Sequence, residues 1–444
     1  MFSWTSNETT DLTGHAGCPC HSPEVQSLTR RIGAELSRRG FVAGVGASVA
    51  SLGLVKLANA QSAPEPPSGA HVIDCGGRVV MPGLIDAHWH SIFAALPLPA
   101  LVSADIGYIY LAASAEAERT LMRGFTTIRD LGGPSFALKE AIDQGVVAGP
   151  RIYPSGAMIT ATGGHGDLRP LSDVPRVVGG TLSRVEQTGG AMIADGADAV
   201  LLRVREQLMQ GASQIKLVGS GGVSTPRSPL DVAGFTAGEL HAGVEAAEDW
   251  ATYVTVHAYT PLTIQRAIAA GAKCIEHGHL MDEATARLIS EKGIWLSIQP
   301  FVGDDDSICL TGESRVQQLA VLAGTDKAYR LAKTHGIKTA FGSDLLFSGM
   351  LTARQGTMLT HLTRWYAPSE ILQMATAANA ELLGLSGPRN PYPGKVGVVE
   401  EGALADLLLV DGNPLEALEL IANPDEHLLL IMKDGKIFKN ARNL

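Results

Sequence analysis

The sequence has few cysteines and no excess of positive charge, and each shortage excludes a class of protein. Five cysteines are scattered over 444 residues without a CxxC pair, so neither a disulfide framework nor a cysteine metal site is expected. The net charge is −10 and no run rich in lysine and arginine stands out, which argues against nucleic acid as a partner. Any metal or catalytic chemistry must therefore come from other side chains.

The first sixty residues are typical of a leader segment. Arg38 and Arg39 precede a run rich in glycine, alanine and valine that closes with Ala58-Asn59-Ala60. This order is that of a secretory signal, and the paired arginines are similar to a twin-arginine signal. Because glycines and a lysine interrupt the short apolar run, we interpret residues 1–60 as a cleaved signal rather than a membrane anchor. The expected location is the periplasm or the exterior, or the cytoplasm if the leader does not function.

After Pro66 the chain alternates between short apolar runs that end in polar residues and amphipathic stretches that often stop at glycine. The eight apolar runs are GLIDAHWH, TTIRDLG, RIYPSGAMIT, QIKLVGS, YVTVHAY, CIEHGHL, IWLSIQP and KTAFGSD. This alternation predicts an α/β fold, a (β/α)8 TIM barrel over residues 83–388. A doubly wound sheet is the competing arrangement, but no glycine-rich phosphate loop follows the first run. Residues 61–82 and 389–444 contain short apolar runs and turns, and we expect them to form a small, possibly truncated β-sandwich domain built from both flanks of the barrel.

Six polar side chains at the ends of these runs would meet at the mouth of such a barrel. Two of them are two residues apart and point the same way on a strand, so they can share one ion. Each alone has an ordinary structural role, such as a hydrogen-bonded histidine or a capping aspartate. Their joint occurrence at the same end of successive strands predicts a site for Zn²⁺ or a similar cation. The six are His88, His90, Lys216, His257, His277 and Asp344.

This pattern resembles the metal-dependent amidohydrolase superfamily over about residues 69–440. The motifs GGHGD, IKLVGSGGV, VTVHAYTPLTIQRAIAAGAKCIEHGHLMDE and TAFGSD are similar to its prolidase-like, imidazolonepropionase-related branch. The resemblance implies hydrolysis of an amide C–N bond in a dipeptide or an N-acyl amino acid. A lactam, urea-type, carbamate or phosphotriester substrate at the same site is an alternative. A degenerate, non-catalytic homologue is another, although the intact set of six residues argues against it.

The resemblance also implies a role for each side chain. One divalent ion, with zinc favoured, would be held by His88, His90 and Asp344, and a second by His257 and His277. Lys216 would be N6-carboxylysine and bridge the ions, which favours the binuclear form over a mononuclear deaminase. The ions would provide a bridging hydroxide that attacks the carbonyl, and Asp344 would pass a proton to the leaving amine.

Three further residues are candidate substrate contacts. His165 in GGHGD and Tyr259, two residues after His257, could stabilise the oxyanion or contact the substrate. Arg227 could pair with a substrate carboxylate or lie in a solvated loop. The expected partner is a small molecule, without nucleic acid or stable membrane insertion, and homo-oligomerisation stays open. Asp86, His279 and His361 are expected to have structural roles.

One departure from the family concerns the small domain. Relatives carry further strands before AHVIDCGGRVV, whereas AQSAPEPPSG connects it almost directly to the leader. Roughly 30 to 40 residues would be missing, judged from average strand lengths. We therefore expect a truncated β domain with an exposed strand edge, and reduced solubility or assembly.

Overall fold

The computed structural model describes residues 72–176 and 180–441. The predicted leader and its export signal lie outside these ranges. No helix within them is long and apolar enough to cross a membrane. Cys75, Cys274 and Cys309, the cysteines within these ranges, are free thiols.

Fourteen strands and fourteen α-helices are described. The strands are β1 (Val79–Pro82), β2 (Leu84–Trp89), β3 (Phe125–Asp130), β4 (Arg151–Pro154), β5 (Met158–Thr160), β6 (Ala191–Ile193), β7 (Ile215–Val218), β8 (Val254–Ala258), β9 (Cys274–His277), β10 (Trp295–Ile298), β11 (Thr339–Phe341), β12 (Leu407–Val410), β13 (Leu428–Lys433) and β14 (Lys436–Asn440). The helices are α1 (Leu98–Ser103), α2 (Ile106–Met122), α3 (Phe136–Asp143), α4 (Arg184–Gln187), α5 (Ala197–Met209), α6 (Ala237–Asp249), α7 (Pro261–Ala270), α8 (Glu283–Glu291), α9 (Gly312–Thr334), α10 (Gly349–Thr352), α11 (Gln355–His361), α12 (Pro368–Gln373), α13 (Asn379–Gly384) and α14 (Pro424–His427).

All eight predicted runs form strands of a parallel barrel. Strands β2, β3 and β4 pair in parallel, and β5 and β7 to β11 form the rest of the wall, with β6 added beside β5. Strands β4 and β5 are the two halves of the third run, separated at Gly156, whose φ is 71°. The two sheets meet where the Asp344 N–H donates to the His88 carbonyl at 2.9 Å and the Ser213 N–H donates to the Pro154 carbonyl at 2.8 Å. The predicted (β/α)8 barrel is confirmed.

The first and last barrel strands approach each other unusually closely. A Cβ atom at Gly342 would lie 2.5 Å from the Cβ of His88, which leaves no room for a side chain. Glycine at this position therefore allows β2 and the segment after β11 to come together. His88 and Asp344, which lie on these two elements, are placed side by side as a result.

The small domain is built from both flanks of the barrel, as predicted. Its described part is one antiparallel sheet with the strand order β1-β12-β13-β14. Val79 pairs with Val410, and β13 is buried along its whole length. β1 is an edge strand of this sheet, and the expected effect of a shortened N-terminal part on solubility stays a prediction. The predicted boundaries at residues 82/83 and 388/389 also stay predictions.

A buried cluster of charges joins the small domain to the barrel. Arg151 on β4 donates two hydrogen bonds to Asp406, at 3.1 and 3.2 Å, and lies 2.8 Å from Asp434. Arg151 and Asp406 are both buried. Burial alone would lower the pKa of Arg151, but the two carboxylates raise it above the ordinary value. Removing Asp406 would therefore leave the buried Arg151 guanidinium without most of its hydrogen bonds.

We expect Asp406→Ala to lower the free energy of unfolding by about 3–5 kcal/mol, because it leaves a buried guanidinium without its main partner. Urea unfolding followed by circular dichroism measures the change. The control is Glu400→Gln, which removes an exposed ion pair with Lys395 and should cost about 0–1 kcal/mol. Equal effects of the two substitutions would contradict this role for the cluster.

Candidate active site

The six predicted ligands lie together at the C-terminal end of the barrel. They come from β2, β7, β8 and β9 and from the segments that follow β2 and β11. Parallel strands of a barrel all end at the same mouth, so distant parts of the chain deliver side chains to one place. All six predicted ligands line one shared cavity: His88, His90, Lys216, His257, His277 and Asp344.

His88, His90 and Asp344 form the more compact half of the group. The Asp344 Oδ1 atom lies 3.4 Å from His88 Nε2 and 3.2 Å from His90 Nε2. One potential ligand atom from each residue lies within 4.8 Å of the others, which is close enough to hold one ion. Asp344 has a φ of 52°, in the left-handed region that aspartate tolerates better than most residues. This local turn follows the close approach at Gly342.

Lys216, His257 and His277 form the other half. The ring centroids of His257 and His277 lie 4.4 Å apart, and the His277 ring lies 5.0 Å from that of His88. Lys216 is buried and lines the cavity together with them. His277 has a φ of 76°, so β9 leaves regular strand geometry at the residue that joins the group. The two halves are thus in direct contact through His88 and His277.

In His88, His257 and His277, one ring nitrogen is hydrogen-bonded to a protein oxygen, which leaves the other nitrogen available to a metal ion. An imidazole nitrogen that donates to a fixed oxygen leaves the other nitrogen with a lone pair for a metal. By this criterion Nε2 is free in His88 and His277, and Nδ1 is free in His257. The donor set therefore fits divalent ions. The pairs are His88 Nδ1 with Glu276 Oε2 at 2.8 Å, His277 Nδ1 with Gln299 Oε1 at 2.7 Å, and His257 Nε2 with the Gly221 carbonyl at 2.9 Å.

Burial keeps these imidazoles neutral, which is the form that binds a metal. Burial, together with the nearby Lys216 ammonium, lowers the pKa of His88 to about 4. Burial also holds the pKa values of His257 and His277 well below the ordinary value. The same burial lowers the pKa of Lys216 to about 8, although Glu276 and Asp344 act in the opposite direction.

Glu276 is a candidate functional residue that the sequence did not reveal. Its buried carboxylate contacts His88 and forms an ion pair with the buried Arg129 at 2.6 Å. It also accepts a hydrogen bond from the hydroxyl of Thr255 at 2.5 Å. Burial would raise the pKa of Glu276, but Arg129 and His88 hold it well below its usual range. The only sequence signal was an acid directly before His277, on a strand otherwise apolar.

His165 and Tyr259 reach the site, whereas Arg227 does not. The His165 ring is nearly parallel to that of His257 with centroids 4.7 Å apart, and its buried Nδ1 has no hydrogen-bond partner within the described ranges. Burial lowers the pKa of His165 to about 4. Tyr259 is buried and its ring lies 4.9 Å from that of His277. Arg227 is exposed, donates to the Arg169 carbonyl at 3.1 Å and does not line the cavity, so its proposed contact with a substrate carboxylate finds no support here.

The residues expected to be structural have structural contacts. Asp86 accepts hydrogen bonds from the backbone N–H groups of His88 and Ser343, at 3.0 and 3.1 Å, and so connects β2 to the segment that carries Asp344. His279 is hydrogen-bonded to the carbonyl of Gln299 at 3.0 Å.

The cavity above the six residues is mostly apolar. It has an empty volume of about 1320 Å³, including its open mouth. Apolar side chains come from α1, from the segment after β10, from α9 and from the segment after β11. A wide apolar cavity over a small polar floor is the usual form of a small-molecule site.

Comparisons with known proteins agree with this geometry. The model of the amidohydrolase family matches residues 79–438. Ochratoxinase of Aspergillus niger is 32% identical over 335 residues, which cover 72% of this chain and 66% of the relative, so the chain spans just under two thirds of its length. A solved amidohydrolase is 38% identical with a TM-score of 0.78, covering 85% of this chain and 90% of that one. A prolidase complexed with N-methylphosphonate-L-proline is 33% identical with a TM-score of 0.78, covering 85% and 91%.

We expect Glu276→Gln to weaken metal binding about 10- to 100-fold, because His88 loses the carboxylate that orients it. Competition with a chromogenic chelator measures the affinity, and circular dichroism of the metal-free protein shows whether the fold is kept. Glu283→Gln is the matched control, because Glu283 contacts His335 at the surface, at 3.0 Å. Unchanged affinity in a folded Glu276→Gln variant would show that this carboxylate does not orient a ligand.

Proposed function

The chain belongs to the amidohydrolase family, and we propose that it hydrolyses the amide C–N bond of a dipeptide or an N-acyl amino acid. The observation that carries this proposal is the complete group of four histidines, one lysine and one aspartate at a single barrel mouth beside an open cavity. The similarity to a prolidase and to ochratoxinase supports a small-molecule amide as the substrate. A degenerate homologue would be expected to have lost at least one of the six residues.

We assign two divalent ions, with zinc favoured, to the two halves of the group. His88, His90 and Asp344 would hold one ion, and His257 and His277 the other. A carboxyl group on Lys216 Nζ would convert this buried cation into an anionic oxygen donor, which would account for a lysine among four histidines. Bound ions would supply a nucleophilic water near neutral pH and polarise the scissile carbonyl.

The side chains around the ions then have distinct tasks. Hydrolysis adds water across the amide, so the C–N bond breaks and a proton must reach the leaving nitrogen. Asp344 Oδ1 faces His88 and His90, and its second carboxylate oxygen can accept a proton from water and deliver it to the amine. His165 and Tyr259 lie on the opposite side, beside His257 and His277, where they can donate hydrogen bonds to the developing oxyanion.

We further propose that residues 1–60 export the enzyme to the periplasm. The support is the paired Arg38 and Arg39 before an apolar run and a small-x-small site. Recovery of the full-length product in the cytoplasmic fraction alone would contradict export.

A library of dipeptides and N-acyl amino acids, incubated with metal-loaded protein, tests the proposed reaction. We expect release of a primary or secondary amine from at least one class, and about two ions per chain by elemental analysis. Lys216→Ala should lose at least one ion and nearly all activity, since it removes the side chain that would supply the anionic donor. Lys273→Ala, which removes an exposed lysine outside the site, is the control and should behave as wild type. Full activity of Lys216→Ala, or no amine from any compound, would refute the proposal.

His165→Ala should lower kcat by about 10²- to 10³-fold, as is typical for loss of one oxyanion donor. Metal content should stay unchanged, because His165 is not assigned as a ligand. Stopped assays of amine release and elemental analysis on the same preparation separate the two effects. His241→Ala, at an exposed position on α6, serves as the control. Loss of an ion in His165→Ala would instead identify this residue as a ligand.

A further inference from the structure

The loop after β7 contacts two of the imidazoles at the barrel mouth. It spans residues 219–228, and we name it the β7 loop. The Gly221 carbonyl accepts a hydrogen bond from His257 Nε2 at 2.9 Å. The next residue, Gly222, lies against the ring of His165, which is itself stacked on His257. Two adjacent glycines of one loop therefore contact the two stacked imidazoles.

Gly222 leaves space that only the His165 ring can occupy. A Cβ atom at this position would lie 2.3 Å from Nδ1, 2.4 Å from Cγ and 2.8 Å from Cε1 of His165. These distances are far shorter than a van der Waals contact, so a side chain here would displace the imidazole. Gly222 does not have a left-handed backbone conformation, so the constraint comes from the ring and not from φ. Gly222 also does not line the cavity, so a methyl group here would not meet the substrate directly.

Two hydrogen bonds connect the β7 loop to the turn that carries His165. The Gly166 N–H donates to the buried Thr225 hydroxyl at 2.9 Å. Arg227 donates to the Arg169 carbonyl at 3.1 Å. Because Gly166 directly follows His165 in the chain, the Thr225 contact fixes the backbone beside the imidazole. Arg227, which the sequence suggested as a substrate contact, instead holds the far end of this turn.

The turn that carries His165 is itself closed by a buried ion pair. Asp167 accepts hydrogen bonds from the Gly163 N–H at 2.9 Å and from the Arg169 guanidinium at 2.6 and 2.8 Å. Burial would raise the pKa of Asp167, but the hydrogen bonds from Arg169 lower it below the ordinary value. The turn is therefore a preformed unit, and a shift of the turn against the β7 loop would move His165 with it.

The His165 ring depends on this packing for its position. Its buried Nδ1 has no hydrogen-bond partner within the described ranges. The ring is instead in contact with His257, at 4.7 Å between centroids, and with Gly222. An imidazole without a hydrogen bond at this nitrogen can turn or shift unless its neighbours leave it no room. The β7 loop supplies one of those neighbours.

We propose, on the basis of the proposed amide hydrolysis, that the β7 loop positions His165 for the oxyanion, with Gly222 and Thr225 as its positioning residues. Gly222 leaves the space that the imidazole occupies, and Thr225 fixes the backbone next to it. The same loop orients His257 through the Gly221 carbonyl. One loop thus sets the spacing between the oxyanion donor and a ligand of the second proposed ion. A donor fixed in this way stabilises developing charge without having to move.

Gly222→Ala tests the space at the ring, with the most rapidly hydrolysed compound of the amide library as substrate. We expect kcat to fall by about 10- to 100-fold, since displacement of a catalytic group by about 1 Å has effects of this size. KM and metal content should stay as in the wild type, because the methyl group would meet His165 and not the cavity. Gly238→Ala is the matched control, because Gly238 is exposed and has open space around it. An unchanged kcat, or the loss of an ion, would overturn the proposal.

A double-mutant cycle shows whether the loop acts through His165. Thr225→Val should lower kcat by about 3- to 10-fold, as expected for one lost hydrogen bond, whereas Thr225→Ser keeps the hydroxyl and should retain the wild-type rate. In the His165→Ala background, Gly222→Ala and Thr225→Val should each change kcat by less than about twofold, because the ring that they displace is gone. Equal losses with and without His165 would show a general structural role and overturn the proposal. The Thr225 variants decide the matter if Gly222→Ala does not fold.

Crystal structures of the wild type and of Gly222→Ala separate failure of this inference from failure of the proposed reaction. We expect the His165 ring of the variant to have left its near-parallel stack on His257, a change that is visible whether or not the protein hydrolyses an amide. A displaced ring together with no amine release from any compound would support the positioning and refute the reaction. An undisplaced ring in Gly222→Ala would overturn the inference, whatever the activity.

Discussion

The site depends on the contacts that the buried carboxylate of Glu276 makes with Arg129 and His88. This carboxylate joins the ion pair with Arg129, inside the barrel, to the imidazole of His88, at the barrel mouth. A buried charge of this kind is stable only while every partner is in place, because its desolvation must be offset by ion pairs and hydrogen bonds. Arg129, Thr255 and His88 supply those contacts from three different strands. The barrel interior and the orientation of His88, a proposed metal ligand, are therefore coupled through one side chain.

Two of the proposed ligands sit on strained backbone. His277 and Asp344 have φ values of 76° and 52°, in a region that side chains other than glycine seldom adopt. Strain of this kind is found where the surrounding structure forces it and where a precise side-chain position is useful. Here the constraint at Asp344 comes from the close packing of Gly342 against His88 and from the hydrogen bonds of Asp86. Asp344 is thus held in position by the protein itself.

Much of the architecture followed from periodicity and from the position of polar residues. The eight strands could be predicted because each run is short, apolar and ends in a polar residue. That the six polar side chains meet in one cavity could be predicted because parallel strands end at one mouth. Glu276 could not, since alternation along a strand would place it on the opposite face from its neighbour His277. In the structure Glu276 pairs in register with His257 and contacts Thr255, whereas the backbone turns at His277. The position of Arg227 depends on a loop conformation, which local sequence does not determine.

Charged and apolar side chains occupy different parts of the cavity. Ionisable groups gather at the floor, where they can pair with each other and with metal ions, and the walls are left to apolar side chains. The floor would then determine which bond is broken, and the walls would determine which molecule is brought to it. This separation is common in barrel enzymes, where loops vary over a fixed set of strand ends.

The measurement that tests the account most directly is anomalous diffraction from crystals of zinc-loaded protein, recorded on both sides of the zinc edge. We expect two peaks, one within bonding distance of His88, His90 and Asp344 and one within bonding distance of His257 and His277, with density for a carboxylated Lys216 between them. A single peak beside an unmodified Lys216, or the absence of any peak at these residues, would contradict the binuclear site.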